Sequence, residues 1–259
     1  DGSLTFINSD DYIRPHANNN FDYSTAERFD WLSPDVDGGE LAEVSGLVHI
    51  PVEGETFTGD DVVDDIVFGT IDNDILYGGA GEDVLDGRSG QDELYGEEGA
   101  DVLLGGLGDD ILVGGEGDDL LIGGGEDDLL TGGEGSDTFA WESGDVPGSD
   151  TITDFSLGTD SLDLSDLLVG TSTDLGSLIQ TALDPLDPGY DDANAELSQY
   201  FSVTQVSPDT IIQVDIDASG DAGKLQTITL EGVDTTDMDL ASILNQLMPP
   251  PTEDEGGVM

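Results

Sequence analysis

Aspartate recurs at every ninth position through the middle of this chain: Asp74, Asp83, Asp92, Asp101, Asp110, Asp119, Asp128 and Asp137. Five residues ahead of each stands a glycine: Gly69, Gly78, Gly87, Gly96, Gly105, Gly114, Gly123 and Gly132. A carboxylate is a hard oxygen donor, and glycine leaves the neighbouring backbone carbonyls uncovered. Calcium takes six to eight such oxygens at ~2.3–2.6 Å. One carboxylate per turn, set among glycine carbonyls, is therefore a donor set for a hard cation.

The same spacing dictates the elements that hold these donors. From Gly69 to Ala140 the chain divides without a gap into GTIDNDILY, GGAGEDVLD, GRSGQDELY, GEEGADVLL, GGLGDDILV, GGEGDDLLI, GGGEDDLLT and GGEGSDTFA. Position four is Gly in six of these blocks, with Asp72 and Glu126 as exceptions. Position eight is Leu76, Leu85, Leu94, Leu103, Leu112, Leu121 and Leu130, then Phe139. A flexible glycine linker would not hold Asp and Leu in phase for 72 residues. A helix is excluded as well, because two or three glycines per block would cost ~1 kcal/mol each. The first six residues of a block are expected to form a tight turn. The last three form a short strand whose middle side chain points inward. Two blocks make one flattened coil, so blocks two apart stack at the ~4.8 Å strand spacing.

This tandem pattern, GGxGxDxUx, resembles the calcium-binding nonapeptide of the RTX family. The resemblance implies a parallel β-roll with Ca2+ between stacked turns. In that family the position-six Asp bridges two ions. Carbonyls of positions one and three face one ion, and those of two and four face the other. Carried onto this chain, the carbonyl ligands begin with Gly69 and Ile71, then Gly78, Gly79, Ala80 and Gly81. They continue with Gly87, Ser89 and Gly90, and with Gly96, Glu98 and Gly99. Gly105, Gly106, Leu107 and Gly108 follow, then Gly114, Gly115, Glu116 and Gly117. Gly123, Gly124 and Gly125, and finally Gly132 and Glu134, complete the set. The resemblance also pairs Asp74 with Asp92, Asp83 with Asp101, Asp92 with Asp110, Asp101 with Asp119, Asp110 with Asp128, and Asp119 with Asp137. Asp150 in GSDTIT and Asp160 in GTDSLD read as one or two further rungs, with Asp150 facing Asp128. With them, about six to eight ions are expected. Upstream, DDVVDDIVF keeps Asp65 and Val67 in phase but lacks glycine, as the capped end of a solenoid would.

Composition sets limits on function. The chain carries 60 acidic and 4 basic residues, for a net charge of -56. Nucleic acid and anionic membrane surfaces would be repelled. There is no Cys, which excludes disulfides and thiolate sites. No apolar run approaches the ~18 residues of a membrane-spanning helix. The two histidines, His16 and His49, sit in no HExxH motif, and GRSGQ fails the GxSxG pattern. They read as ordinary structural or surface residues, and the chain is expected not to be an enzyme.

Around the repeats the reading is coarser. The expected fold is mainly β: a parallel β-roll over 59–163, a partial β-sandwich-like segment over 1–58, and a mixed α+β domain over 164–259. Strands are expected near 150–155, 161–164, 200–206, 210–216 and 225–231, with helices near 173–183 and 236–247. In the last helix Leu240, Ile243, Leu244 and Leu247 share one face. From GSDTITDFSLGTDSLDLSDLL through ITLEGVD to that helix, the order resembles the carboxyl-terminal domain of giant RTX adhesins exported by type I secretion. That resemblance implies an export signal at the carboxyl end. It implies as partners a type I machinery of ABC transporter, adaptor and outer-membrane channel, a location outside the cell or on its surface, and a role in cell adhesion. The fragment itself is expected to be monomeric. DGSLTF, FDYSTAERFDW and DVDGGELAEVSGLVHIPV resemble the last strands of immunoglobulin- or cadherin-like adhesin repeats, with Asp35 and Asp37 as either linker ligands or a solvated turn. The polar opening DGSLTFINSDD leads us to expect a piece of a longer protein. DIDASGDAG at 215–223 is either an EF-hand-like loop, with Gln226 where a bidentate Glu belongs, or an acidic hairpin turn. The acidic stretch DPGYDDAN at 187–194 is a weaker candidate of the same kind. A second reading of the whole stays open: the tail of an RTX hydrolase or toxin whose catalytic part lies upstream.

Overall fold

The structure is a computed structural model. It describes residues 28–33, 42–49, 56–58, 64–142, 147–164, 167, 175–184, 187–215 and 225–247. The readings placed on His16, Asp35, Asp37, most of the 215–223 loop and the carboxyl-terminal tail lie outside the described residues.

Two sheets form the two walls of a parallel β-solenoid, and the chain alternates between them. Numbered in chain order, one wall runs β1 (Arg28–Ser33), β2 (Ala42–His49), β4 (Ile66–Phe68), β6 (Val84–Ser89), β8 (Val102–Leu107), β10 (Leu120–Gly125), β12 (Thr138–Ala140) and β14 (Ser161–Asp163). The other runs β3 (Thr56–Thr58), β5 (Ile75–Ala80), β7 (Glu93–Glu98), β9 (Ile111–Glu116), β11 (Leu129–Glu134), β13 (Ser149–Ile152), β17 (Leu225–Leu230), β16 (Asp209–Asp215) and β15 (Phe201–Val206). Stacking keeps every block in register with the block two further on: Leu85 pairs with Leu103, and Leu94 with Leu112. The position-eight side chains point inward as their spacing requires, and Leu76, Leu85, Leu94, Leu103, Leu112 and Leu121 are wholly buried.

The strands are longer than the blocks suggested. β5, β7, β9 and β11 run three residues past the strand positions into the following glycines. The reason is backbone pairing: positions two and three also align with the next coil, as Gly79 does with Glu97 and Ala80 with Glu98. The N–H of position four then donates to the position-three carbonyl one coil on, Gly81 to Glu98 at 2.9 Å and Gly99 to Glu116 at 2.8 Å. Gly99 shows why position four is glycine: its φ is 138°, and a Cβ there would overlap the carbonyl oxygen of Gly81.

Towards the carboxyl end the second wall does not stop. β17 adds to β13 in parallel, and β16 and β15 extend it as an antiparallel meander. Helices α1 (Leu175–Leu183), α2 (Tyr190–Tyr200) and α3 (Leu240–Leu247) complete this region. Leu178, Ile179, Ala193, Leu197, Leu244 and Leu247 belong to the same apolar cluster as the roll's leucines, so one core continues from the roll into this region. In α3, Ile243, Leu244 and Leu247 are buried as expected, with Leu240 packed partly against them. Asp239 caps that helix by accepting the N–H of Ser242 at 2.8 Å. α2 is a correction to the sequence reading, which had an acidic loop at 187–194. Asp191 and Asp192 instead lie in its first turn, where the helix dipole favours them, and Ala193 and Leu197 bury its inner face.

At the amino-terminal end, β1 and β2 pair antiparallel, and β2 joins β4 in parallel. β3 likewise joins β5. The stacked walls thus already include strands ahead of residue 59.

Candidate metal centre

Position six lies two residues before the inward leucine, so its side chain faces inward too. Asp83, Asp92, Asp101 and Asp110 are each 1% exposed. Each uses one carboxylate oxygen to tie two coils together. Oδ1 of Asp92 accepts the N–H of Asp74 at 2.7 Å, and Oδ1 of Asp101 that of Asp83 at 2.7 Å. Asp110 does the same for Asp92 at 2.8 Å and Asp119 for Asp101 at 2.8 Å. Asp128 serves Asp110 at 2.9 Å, and Asp137 serves Asp119 at 3.0 Å. These are the six pairs that the resemblance implied.

The second oxygen is different. Oδ2 of Asp83, Asp92, Asp101, Asp110, Asp119, Asp128 and Asp137 is buried and has no hydrogen-bond partner in the protein. An unpaired buried acceptor of this kind costs ~1–3 kcal/mol. Each of these oxygens lies against a position-one glycine, where a Cβ would intrude. A Cβ on Gly78 would lie 2.5 Å from Asp83 Oδ2 and 2.8 Å from the carbonyl oxygen of Gly96. On Gly105 it would lie 2.5 Å from Asp110 Oδ2 and 2.5 Å from the carbonyl oxygen of Gly123. A carboxylate oxygen and a carbonyl from the next coil therefore converge on a space that only glycine leaves open. Among the described residues no group of three or more His, Asp or Glu side chains gathers as a metal cluster. The donor set is one carboxylate per turn plus carbonyls, and it fits a hard divalent cation. Ca2+ held there by Asp83, Asp92, Asp101, Asp110, Asp119, Asp128 and Asp137 would neutralise the carboxylates and join successive coils.

Burial governs the protonation of these groups. It pushes the carboxyls of Asp83, Asp92 and Asp137 up to about 6, with the neighbouring N–H donors pulling down and nearby Asp charges adding to the rise. Asp101 and Asp110 are pushed to about 7, and Asp128 to about 8, for the same first cause. Asp119 moves in the same direction.

The ends of the series are built from protein donors. Oδ2 of Asp74 accepts the N–H of Thr70 at 2.6 Å and its hydroxyl at 2.9 Å, leaving Oδ1 as the unpartnered oxygen. Asp150 and Asp160 do continue the ladder, accepting the N–H groups of Asp128 at 3.1 Å and Asp137 at 3.2 Å. Their second oxygens are occupied, Asp160 by the N–H of Ser156 at 2.7 Å, and Asp150 by Trp141 and Gln226. Asp154 accepts the N–H groups of Gly132 at 3.0 Å and Gly133 at 2.9 Å, closing the last glycine turn.

Sequence reasoning missed these end groups. It also missed a second, exposed ladder at position five. There Asp109 accepts the N–H of Asp127 at 3.2 Å and Asp118 that of Ser136 at 2.8 Å. The frequency of Asp and Asn at position five was a signal for it. Gln226, read as the misfit twelfth residue of an EF-hand-like loop, has its amide committed to Asp150 and Gly148.

The family model for the RTX calcium-binding nonapeptide repeat matches residues 58–94, 68–103, 77–112 and 104–139. Residues 58–139 thus carry RTX calcium-binding nonapeptide repeats, whose cofactor is Ca2+. No curated protein matches the chain. Among solved structures, the AlgE6R3 subunit of the Azotobacter vinelandii mannuronan C5-epimerase is 22% identical, covering 80% of this chain and 90% of that one with a TM-score of 0.27. The extracellular lipase LipA of Serratia marcescens is 16% identical, covering 79% of this chain and 42% of that one with a TM-score of 0.26.

Proposed function

We propose that this chain is a calcium-dependent folding and export module at the carboxyl-terminal end of a secreted, cell-surface adhesin. The observation that carries the proposal is the run of buried carboxylate oxygens, from Asp83 to Asp137, with no donor in the protein. Without a cation, each coil stacks an unpaired buried acceptor on the next and repels it. With free calcium at ten to a hundred times the dissociation constant, each ion stabilises the fold by ~1.4–2.7 kcal/mol. Extracellular calcium modules bind at ~10⁻⁴–10⁻³ M. The roll is therefore unfolded at sub-micromolar calcium and folds where calcium is millimolar.

Export follows from the same property, because a chain kept unfolded inside the cell passes a narrow channel and folds on leaving it. The resemblance of the 148–259 region to adhesin carboxyl-terminal domains supports type I secretion machinery as the partner. The absence of HExxH and GxSxG from the sequence supports a structural rather than an enzymatic role. Circular dichroism of the calcium-stripped chain, followed by titration with calcium, tests the folding switch. Strand signal should appear cooperatively near millimolar calcium, with about six to eight ions bound per chain. A roll that keeps its strands in excess chelator, or binds fewer than about four ions, refutes it.

A further inference from the structure

Asp150 breaks the rule of the upstream carboxylates in one respect. Its Oδ1 does what theirs do, accepting the N–H of Asp128. Its Oδ2 receives two hydrogen bonds, from Trp141 Nε1 at 2.6 Å and from Gln226 Nε2 at 2.7 Å. All three side chains are 1–2% exposed. The Gln226 amide is held on its other side as well, where Oε1 accepts the N–H of Gly148 at 3.1 Å. β17 supplies this glutamine while setting Ile228, not another Asp, opposite Asp150.

We propose that Gln226 and Trp141 form a metal-free plug that takes the place of a cation at Asp150, so that Oδ2 of Asp150 carries no calcium. The inference rests on the calcium reading above. A carboxylate oxygen has two lone pairs, and both are used here. Two N–H dipoles meet the charge that an ion would otherwise meet. An ion entering this position would have to displace both donors and leave the indole N–H buried without an acceptor. Charge favours the plug too: a neutral amide and a neutral indole end the ladder without adding another carboxylate to a chain of net charge -56. The other edge closes in the same manner, with the backbone N–H of Ser156 on Asp160. Gln226 and Trp141 are therefore positioning residues that fix where the ion series ends.

The test is a calcium count on the full chain at saturation, with ions located by anomalous scattering. The wild-type protein should show ions beside the upstream carboxylates and none on Oδ2 of Asp150. Gln226→Glu replaces a donor with a carboxylate beside Asp150, and should bind one more ion per chain than wild type. An ion on Asp150 Oδ2 in the wild type, or an unchanged count in a folded Gln226→Glu, overturns the proposal. Should Gln226→Glu fail to fold, Gln226→Met removes the donor without adding charge. That variant should lose about tenfold in the folding equilibrium constant at saturating calcium, with its upstream ions unchanged. Unaltered stability in Gln226→Met overturns the proposal equally. Zero ions anywhere sinks the calcium reading and this inference with it, whereas upstream ions plus one on Asp150 sink the plug alone.

Discussion

The Asp101 carboxylate meets two demands at once: a hydrogen bond to the coil behind it, and a second oxygen held dry. That second demand makes the metal-free fold sensitive to pH. In the unfolded chain these carboxyls ionise near their ordinary value of 3.8, whereas in the roll burial delays ionisation to about 6 for Asp83 and Asp92, about 7 for Asp101 and Asp110, and about 8 for Asp128. Across that window the folded state holds more protons than the unfolded one. Stability without calcium is therefore fully present below the unfolded value and is lost as pH rises through 6 to 8. Lowering the pH of the calcium-stripped chain from about 8 to about 5 should shift it towards the folded state, read as a gain of strand signal by circular dichroism. A loss of strand signal over the same range would contradict the buried, unpartnered state of these oxygens. At this scale the sequence was highly legible. Gly78 and Asp83 have fixed places in the repeat, and a fixed place on a solenoid means a fixed neighbour 18 residues away. Trp141 and Gln226 were not legible, because their partner is Asp150, and Gln226 lies 76 residues from it, outside any period.

Each strand of the roll from β5 to β9 is a single rung carrying one wholly buried side chain, so no leucine there has a nearby substitute. Leu103 of β8 sits between Leu85 and Leu121 in the same wall. Leu103→Ala should cost ~3 kcal/mol in saturating calcium, within the ~2–5 kcal/mol span for emptying a well-packed site. Denaturant unfolding measures this, and a loss below ~1 kcal/mol would mean that the coils slide together to fill the gap. The strand positions could be read from period alone because the inward leucine alternates with outward neighbours. Their true length could not, since the extra residues pair through backbone groups that leave no mark on side-chain type. The helix α2 was hidden for a related reason. DDANAE reads as a polar loop until Ala193 and Leu197, four residues apart, find a core to cover.

For the molecule as a whole, the roll and the carboxyl-terminal region share one apolar core. Ile152, Phe155 and Leu162 of the last coils share the apolar cluster with Ile228, Leu230 and Leu244. Phe155 also lies against Phe139, ring centroids 6.0 Å apart, at the end of the leucine ladder. A chain ending at Asp163 removes β17, leaves Asp150 without Gln226 and opens this cluster to water. Its stability in saturating calcium should drop by at least ~3 kcal/mol, the sum of an unpaired buried acceptor and the exposed side chains. Equal urea midpoints for the full and shortened chains would show instead that the roll stands alone. The hydrogen bonds between coils run along the axis of stacking, and so do the Asp links such as Asp83 to Asp101. An end-to-end pull thus acts on the joints between coils one after another rather than on all of them together. Each joint that yields frees a coil of 18 residues, about 60 Å of slack. Ions seated between coils would act as rivets against that unzipping, so a tether built this way would lengthen in steps and stiffen as calcium is added.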